Sequence, residues 1–272
     1  AIRHIQHVIA TQDAYELRSF EKRTYAEHSY DLFSIQRRKR LVSRPTVCIV
    51  ATLHGEEPAG TNACATHLAA ILKTANEHRV NIVMIPCANP YGFDRGIRKT
   101  PVSEFMNGGY IHPELTKPSS EVKRLRTFLK KTGADFYLDL HEDCESHGAY
   151  VYAFNDRQIA KKLLQAVTRF IPIEKKPLMD DPDIMNADIS RGIVFEAHDG
   201  SSEDMMSHER SCRFSAALET PSSLFPISVR ARAHAEAIRV LIQIASRRYT
   251  GKIKRQRVLS KLIRLTRLFW TR

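Results

Sequence analysis

Apolar, β-branched runs of five or six residues alternate along the chain with longer stretches in which apolar positions recur every three or four residues. The first kind predicts strands at 30–35, 47–52, 82–86, 136–140, 150–154 and 214–219. The second predicts helices at 58–76, 120–131 and 156–169, and another at about 228–248, beyond Pro221 and Pro226. Pro58 suits the first turn of its helix, and Ser119 or Ser120 can cap the next. The alternation implies one α/β domain over residues 1–250, an α/β/α sandwich around a central mixed, mostly parallel sheet. No internal repeat or low-complexity linker interrupts it. The run Arg37-Arg38-Lys39-Arg40 falls between two predicted strands and reads as a solvated hairpin loop.

Composition narrows the class. With 272 residues, 43% hydrophobic and only 11 Gly and 12 Pro, the chain can build one large core, which excludes disordered, collagen-like and small disulfide scaffolds. Its longest apolar stretches, such as 47–53, stop far short of the roughly 20 residues that span a bilayer. Residues 1–10 contain no uninterrupted apolar stretch and do not read as an uncleaved signal peptide. The formal charge of +12 is unevenly placed, because residues 251–272 hold eight Lys and Arg and no acid, leaving +4 on the other 250. The basicity therefore belongs to 251–272, expected as a basic amphipathic C-terminal helix. Five cysteines, an odd number without any CxxC, predict reduced thiols and a cytoplasmic location.

Chemistry concentrates where predicted strands end. Leu53-His54-Gly55-Glu56-Glu57-Pro58 places a His and a Glu three apart on a tight strand-to-helix turn, where His54 and Glu57 can bind one metal together. HxxE alone is common by chance. Support comes from Phe136-Tyr137-Leu138-Asp139-Leu140-His141-Glu142-Asp143, a second apolar strand ending in His and acids. Strand ends on one edge of a parallel sheet converge, so His141 is a candidate third ligand. Glu142 and Asp143 are alternative ligands, or groups that orient the histidine. A third strand end places Glu219 where a carboxylate can take a proton from water and pass it to a leaving nitrogen. Between these, Asn89-Pro90-Tyr91-Gly92-Phe93-Asp94-Arg95-Gly96-Ile97-Arg98-Lys99 offers Arg98 to polarise a carbonyl, with Arg95 and Lys99 as candidate contacts to a substrate carboxylate.

This ordered set, HxxE, then NPxGF followed by RK, then strands ending in LH and LE, resembles the zinc metallocarboxypeptidase family. Its relatives include succinylglutamate desuccinylase and aspartoacylase-like deacylases. The resemblance covers roughly residues 30–225, with His141 lying 84 residues after Glu57 and Glu219 lying 78 after His141. It implies that His54, Glu57 and His141 bind Zn2+, that Arg98 holds the oxyanion and that Glu219 is the general base and acid.

Departures from the family pattern shape the expected substrate. Peptide-cleaving members clamp the terminal carboxylate with a later Asn-Arg pair; the nearest match here, Asn107-Gly108, keeps a candidate substrate-binding Asn107 without the arginine. Those members also carry a mobile tyrosine between the positions of His198 and Glu219, where this chain has none. The loop 197–202, with Ser201, is expected to shape the pocket instead. The acids after His141 leave room for a second metal or an altered specificity pocket.

The expected activity is a zinc metallopeptidase acting on a small peptide, with N-acyl amino acid deacylation as the alternative. A reading of another class is a non-catalytic protein that uses 251–272 to bind a membrane surface or nucleic acid. For that segment, packing on protein is the plainest expectation; an anionic membrane surface comes next, favoured by Phe269-Trp270, and nucleic acid is the least expected partner.

Overall fold

The computed structural model describes residues 2–103, 106–175, 188–209 and 212–269. Its strands are β1 (Tyr15–Tyr25), β2 (His28–Arg37), β3 (Thr46–Ala51), β4 (Asn81–Ile85), β5 (Phe136–Asp143), β6 (Tyr150–Phe154), β7 (Asp188–Ser190), β8 (Ile193–Phe195) and β9 (Phe214–Pro221). Among the described residues they form one sheet in the order β1-β2-β4-β3-β5-β9-β6-β8-β7. At its centre β4, β3, β5 and β9 run parallel. The β1–β2 hairpin joins antiparallel to β4 on one side, and β6 joins antiparallel to β9 on the other. The central strands are buried on both faces, which is why they read as unbroken apolar runs.

Alternation along each strand sorts residues to two faces. Ile49, Leu138 and Phe214 pack with α2 (Ala59–Thr66), α3 (Leu68–Glu77), α7 (Arg157–Val167) and α9 (Ile227–Phe269). Cys48, Val50 and Tyr137 face the other layer, with α6 (Ser120–Lys131) and α8 (Ser202–His208). The same parity carries Asp139 and His141 to the α6/α8 face of β5. The α2 layer sits close to the sheet: a Cβ on Gly60 would fall 2.9 Å from Leu140 Cβ and 3.0 Å from Ala51 Cβ.

Several expectations need correction. The helix predicted over 58–76 is two helices, α2 and α3, divided at His67, whose φ of −109° and ψ of 9° depart from helical values. Arg37–Arg40 is not a hairpin loop. β2 and β3 are separated by β4, so the run begins a crossover, and Arg40 anchors it by donating to Thr46 Oγ1 and the Gly133 carbonyl. Neither β1 nor α1 (Ile2–Ala10) is legible in the pattern; β1 is an edge strand rich in Glu, Lys and Arg, which masks its period. By contrast, Ser119 accepts from Val122 N and Asp156 accepts from Gln158 N and Ile159 N, capping α6 and α7 as their side chains allow. The helix predicted to Arg248 continues to Phe269 as one element. Side chains from 249 onward, including the amphipathic pattern expected of 251–272, and residues 270–272 altogether lie outside the described residues. No described helix is long and apolar enough to cross a membrane.

Candidate metal centre

The first turn after β3 is built by backbone constraint. Thr52 adopts φ +56°, and its hydroxyl donates to the Glu57 carbonyl at 3.1 Å and lies 2.8 Å from Thr61 Oγ1. This folds Leu53–Glu57 back on itself. Gly55 is required there: a Cβ would lie 2.1 Å from the Gly92 carbonyl carbon, so the turn and α4 (Pro90–Arg95) touch backbone to backbone. Asn89 caps α4 by accepting from Gly92 N, and its amide donates to the Arg98 carbonyl at 3.0 Å. Gly55 N donates to that same carbonyl at 3.3 Å, so the NPxGF segment fixes Arg98 beside the turn.

Glu57 is the hub. His54 Nδ1 lies 2.6 Å from its Oε1, and His141 Nδ1 lies 2.9 Å from its Oε2. The Glu142 amide donates to Oε2 at 3.1 Å and Arg98 Nη1 donates to Oε1 at 3.3 Å. All three side chains of the triad are buried, and their ligand atoms lie within 4.8 Å of one another. Two imidazole nitrogens and a carboxylate, brought together and already desolvated, are the donor types of a three-ligand zinc site, so the residues fit a divalent metal. Burial holds the His54 ring below its usual pKa. Burial also opposes ionisation of Glu57 and His141, but their mutual contact, with His54 beside Glu57 and Asp139 beside His141, prevails: Glu57 is held well below the carboxylate range and His141 is raised.

Behind His141 stands a polar network that the sequence pattern did not announce. Asp139 Oδ2 lies 3.4 Å from His141 Nε2 and accepts from Ser202 Oγ at 2.9 Å and Tyr137 OH at 3.2 Å. Glu203, raised to about 8 by burial and by the nearby Asp199 and Asp139, accepts from Ser202 Oγ at 3.2 Å. The available signal was Asp139 itself, a lone acid inside an apolar strand two residues before His141 and hence on the same face. Glu142 is neither ligand nor orienter of His141. Its carboxylate accepts from Ala59 N at 2.7 Å, holding the start of α2, and is ion-paired with Arg230 of α9. Asp143 accepts from Tyr150 OH at 2.9 Å.

Glu219 is the register partner of His141 in the β5–β9 pair, and on its other side stands opposite Tyr150 of β6. Burial raises its carboxyl pKa well above the usual range; the His141 charge pulls it down, and Glu57 and Asp143 push it up. Arg98 is half in solvent and reaches Glu56 as well as Glu57. Lys99 is exposed next to it. Arg95 is directed elsewhere, donating to Tyr30 OH at 2.8 Å and lying 3.9 Å over the Tyr91 ring. Asn107 and Ser201, expected to meet substrate, are instead engaged at the start of α8: Asn107 Oδ1 accepts from Ser202 N, and buried Ser201 accepts from Asp204 N.

The comparisons with known proteins agree with this geometry. The succinylglutamate desuccinylase/aspartoacylase catalytic domain model matches residues 43–173, which include the triad and Arg98. A candidate metallopeptidase from Shewanella baltica superposes with a TM-score of 0.74 at 25% identity, covering 90% of this chain and 92% of its own. One from Shewanella denitrificans superposes with a TM-score of 0.74 at 22% identity, covering 90% of each chain. A metallo-carboxypeptidase from Burkholderia cenocepacia gives 0.61 at 17% identity, covering 89% of this chain and 68% of its own. No curated protein matches the chain by sequence. Over residues 43–173 the chain is thus similar to the succinylglutamate desuccinylase/aspartoacylase catalytic domain, and its fold is that of the metallopeptidase and metallo-carboxypeptidase structures it superposes on.

Proposed function

We propose that the chain is a zinc-dependent, carboxypeptidase-like hydrolase that cleaves an amide bond in a small peptide or N-acyl amino acid. The observation that carries this reading is the convergence of His54 and His141 on Glu57, with Glu219 beside His141 on the next strand. His54, Glu57 and His141 would hold the metal, which when bound supplies a positive charge that acidifies water and polarises a carbonyl. Glu219, register partner of His141 on the next strand, takes a proton from the attacking water and delivers it to the leaving nitrogen. Arg98, fixed by its own carbonyl to Gly55 and Asn89, places a guanidinium where charge develops on the carbonyl oxygen. The five cysteines, all free thiols, suit a reducing, cytoplasmic setting.

Within amide hydrolysis, two observations favour N-acyl amino acids over free peptides. Asn107 is engaged with α8 and has no arginine beside it to clamp a terminal carboxylate. The matching family model is that of the deacylase relatives. A panel of dipeptides and N-acyl amino acids assayed with zinc-loaded protein tests both readings: preferential release of the acyl group is expected, faster dipeptide cleavage would return the peptidase reading, and no cleavage of either would remove the proposal.

A further inference from the structure

Two side chains of α9 reach the back of the metal centre. Arg230 is ion-paired with Glu142, the residue after His141, and His234 Nε2 lies 3.1 Å from Oγ1 of Thr220, the residue after Glu219. Glu142 and Thr220 are themselves register partners in the β5–β9 pair. Alternation turns both toward the layer in which Leu140 and Leu218 pack, opposite to His141 and Glu219. The spacings agree: residues one helical turn apart are separated by about 6 Å along the axis, and neighbouring strands by about 4.8 Å. One turn of α9 therefore grips both strands where each delivers a functional side chain to the other face.

The two grips differ in kind. On β5, Glu142 also accepts from Ala59 N, and its own amide donates to Glu57, so that strand end is held from several sides. On β9, among the described residues no side chain hydrogen-bonds the Glu219 carboxylate, so its direction is set by the backbone that carries it. His234 and Thr220 are both fully buried next to that backbone. Burial and the charges of His141 and Arg230 hold the His234 ring down to about 3, so it is neutral and contributes a hydrogen bond rather than a charge.

We propose that His234 is a positioning residue for the amide hydrolysis: by holding Thr220 from the back of the sheet it fixes the end of β9, and with it the Glu219 carboxylate beside His141, while Arg230 fixes β5 one turn earlier on the same helix. The inference rests on the hydrolase reading and assigns His234 no contact with substrate or metal. It differs from plain packing in its consequence, because loss of this hydrogen bond displaces the proton acceptor and leaves the metal ligands where they are.

Kinetics and zinc content of full-chain variants test it. His234→Leu and the near-isosteric Thr220→Val should each lower kcat by about 10–100-fold, the scale of a small displacement of a reacting group, with KM within about threefold and zinc content unchanged. His234→Leu/Thr220→Val should be no slower than the slower single variant, because both changes remove the same hydrogen bond. His234→Gln, whose amide can donate or accept there, should restore most of the loss. On a Glu219→Gln background His234→Leu should cost nothing further, because the group it positions is gone. A merely structural role would lower the melting midpoint and leave kcat per zinc-loaded chain at the parental value. Parental kcat in both single variants, additive losses, an undiminished cost on the Glu219→Gln background, or loss of zinc would each overturn the proposal. A parent that cleaves no amide would instead remove the hydrolase reading, and amide hydrogen exchange then decides: faster exchange over 218–221 in both single variants supports the hold on β9, and unchanged exchange removes it.

Discussion

His141 and Glu219 are register partners on adjacent parallel strands, so an imidazole already turned toward Glu57 and a half-buried carboxylate emerge on one face of the sheet, side by side. The proton acceptor of the proposed reaction is thus positioned by sheet register rather than by a loop. Glu219→Gln preserves the shape and removes the acceptor. It should retain its zinc while losing on the order of 10²–10⁴-fold in turnover, measured as kcat on whichever amide substrate the panel identifies. Full activity would move the base elsewhere.

Asp139 supports His141 from behind, close to Nε2 and held in turn by Ser202 and Tyr137. Asp139→Asn keeps the oxygen that receives those hydrogen bonds but removes the charge. Zinc affinity should fall by about 10–100-fold in a competition titration against a chelator. An unchanged affinity would make Asp139 a purely structural residue.

Glu142 and Arg230 form a buried ion pair that ties α9 to the edge of the sheet beside the metal ligands. At pH 8, above the value of about 7 to which burial raises the Glu142 carboxyl, Arg230→Met leaves that carboxylate buried without its partner and should cost about 3–5 kcal/mol in denaturant unfolding. Adding Glu142→Gln should recover part of that loss. A single variant as stable as the parent would show that the carboxylate is neutral without Arg230.

Thr100 Oγ1 donates to Glu121 Oε2 at 2.5 Å, two residues beyond Arg98, and burial pushes the Glu121 carboxyl up to about 7. The native state therefore prefers the protonated acid. The associated stability is fully present below the unfolded carboxyl value and is lost as pH rises through 7. Glu121→Gln removes this dependence, so its stability relative to the parent should improve between pH 5 and 8 by at most about 3 kcal/mol. Parallel stability curves across that range would contradict the shift.

Much of the site was legible because its chemistry lies at the ends of unbroken apolar strands: His54 after β3, His141 within β5 and Glu219 within β9 stand out as polar residues closing buried runs. The α/β sandwich followed from the same alternation. What escaped was held by tertiary context. β1 hides its period under edge-strand charges, and α2 and α3 read as one helix because nothing in their composition marks the break at His67. Nothing in the helical pattern of 228–248 marks Arg230, which only the fold sets against Glu142. The engagement of Asn107 and Ser201 with α8 likewise depends on a loop packing that spacing does not encode.

The central claim, that His54, Glu57 and His141 form one catalytic zinc site, is tested most directly by elemental analysis of the purified chain beside its His54→Ala/His141→Ala variant. Three protein ligands with an open position predict about one zinc per chain in the parent and none in the variant. A variant that retains a full equivalent of zinc would contradict it.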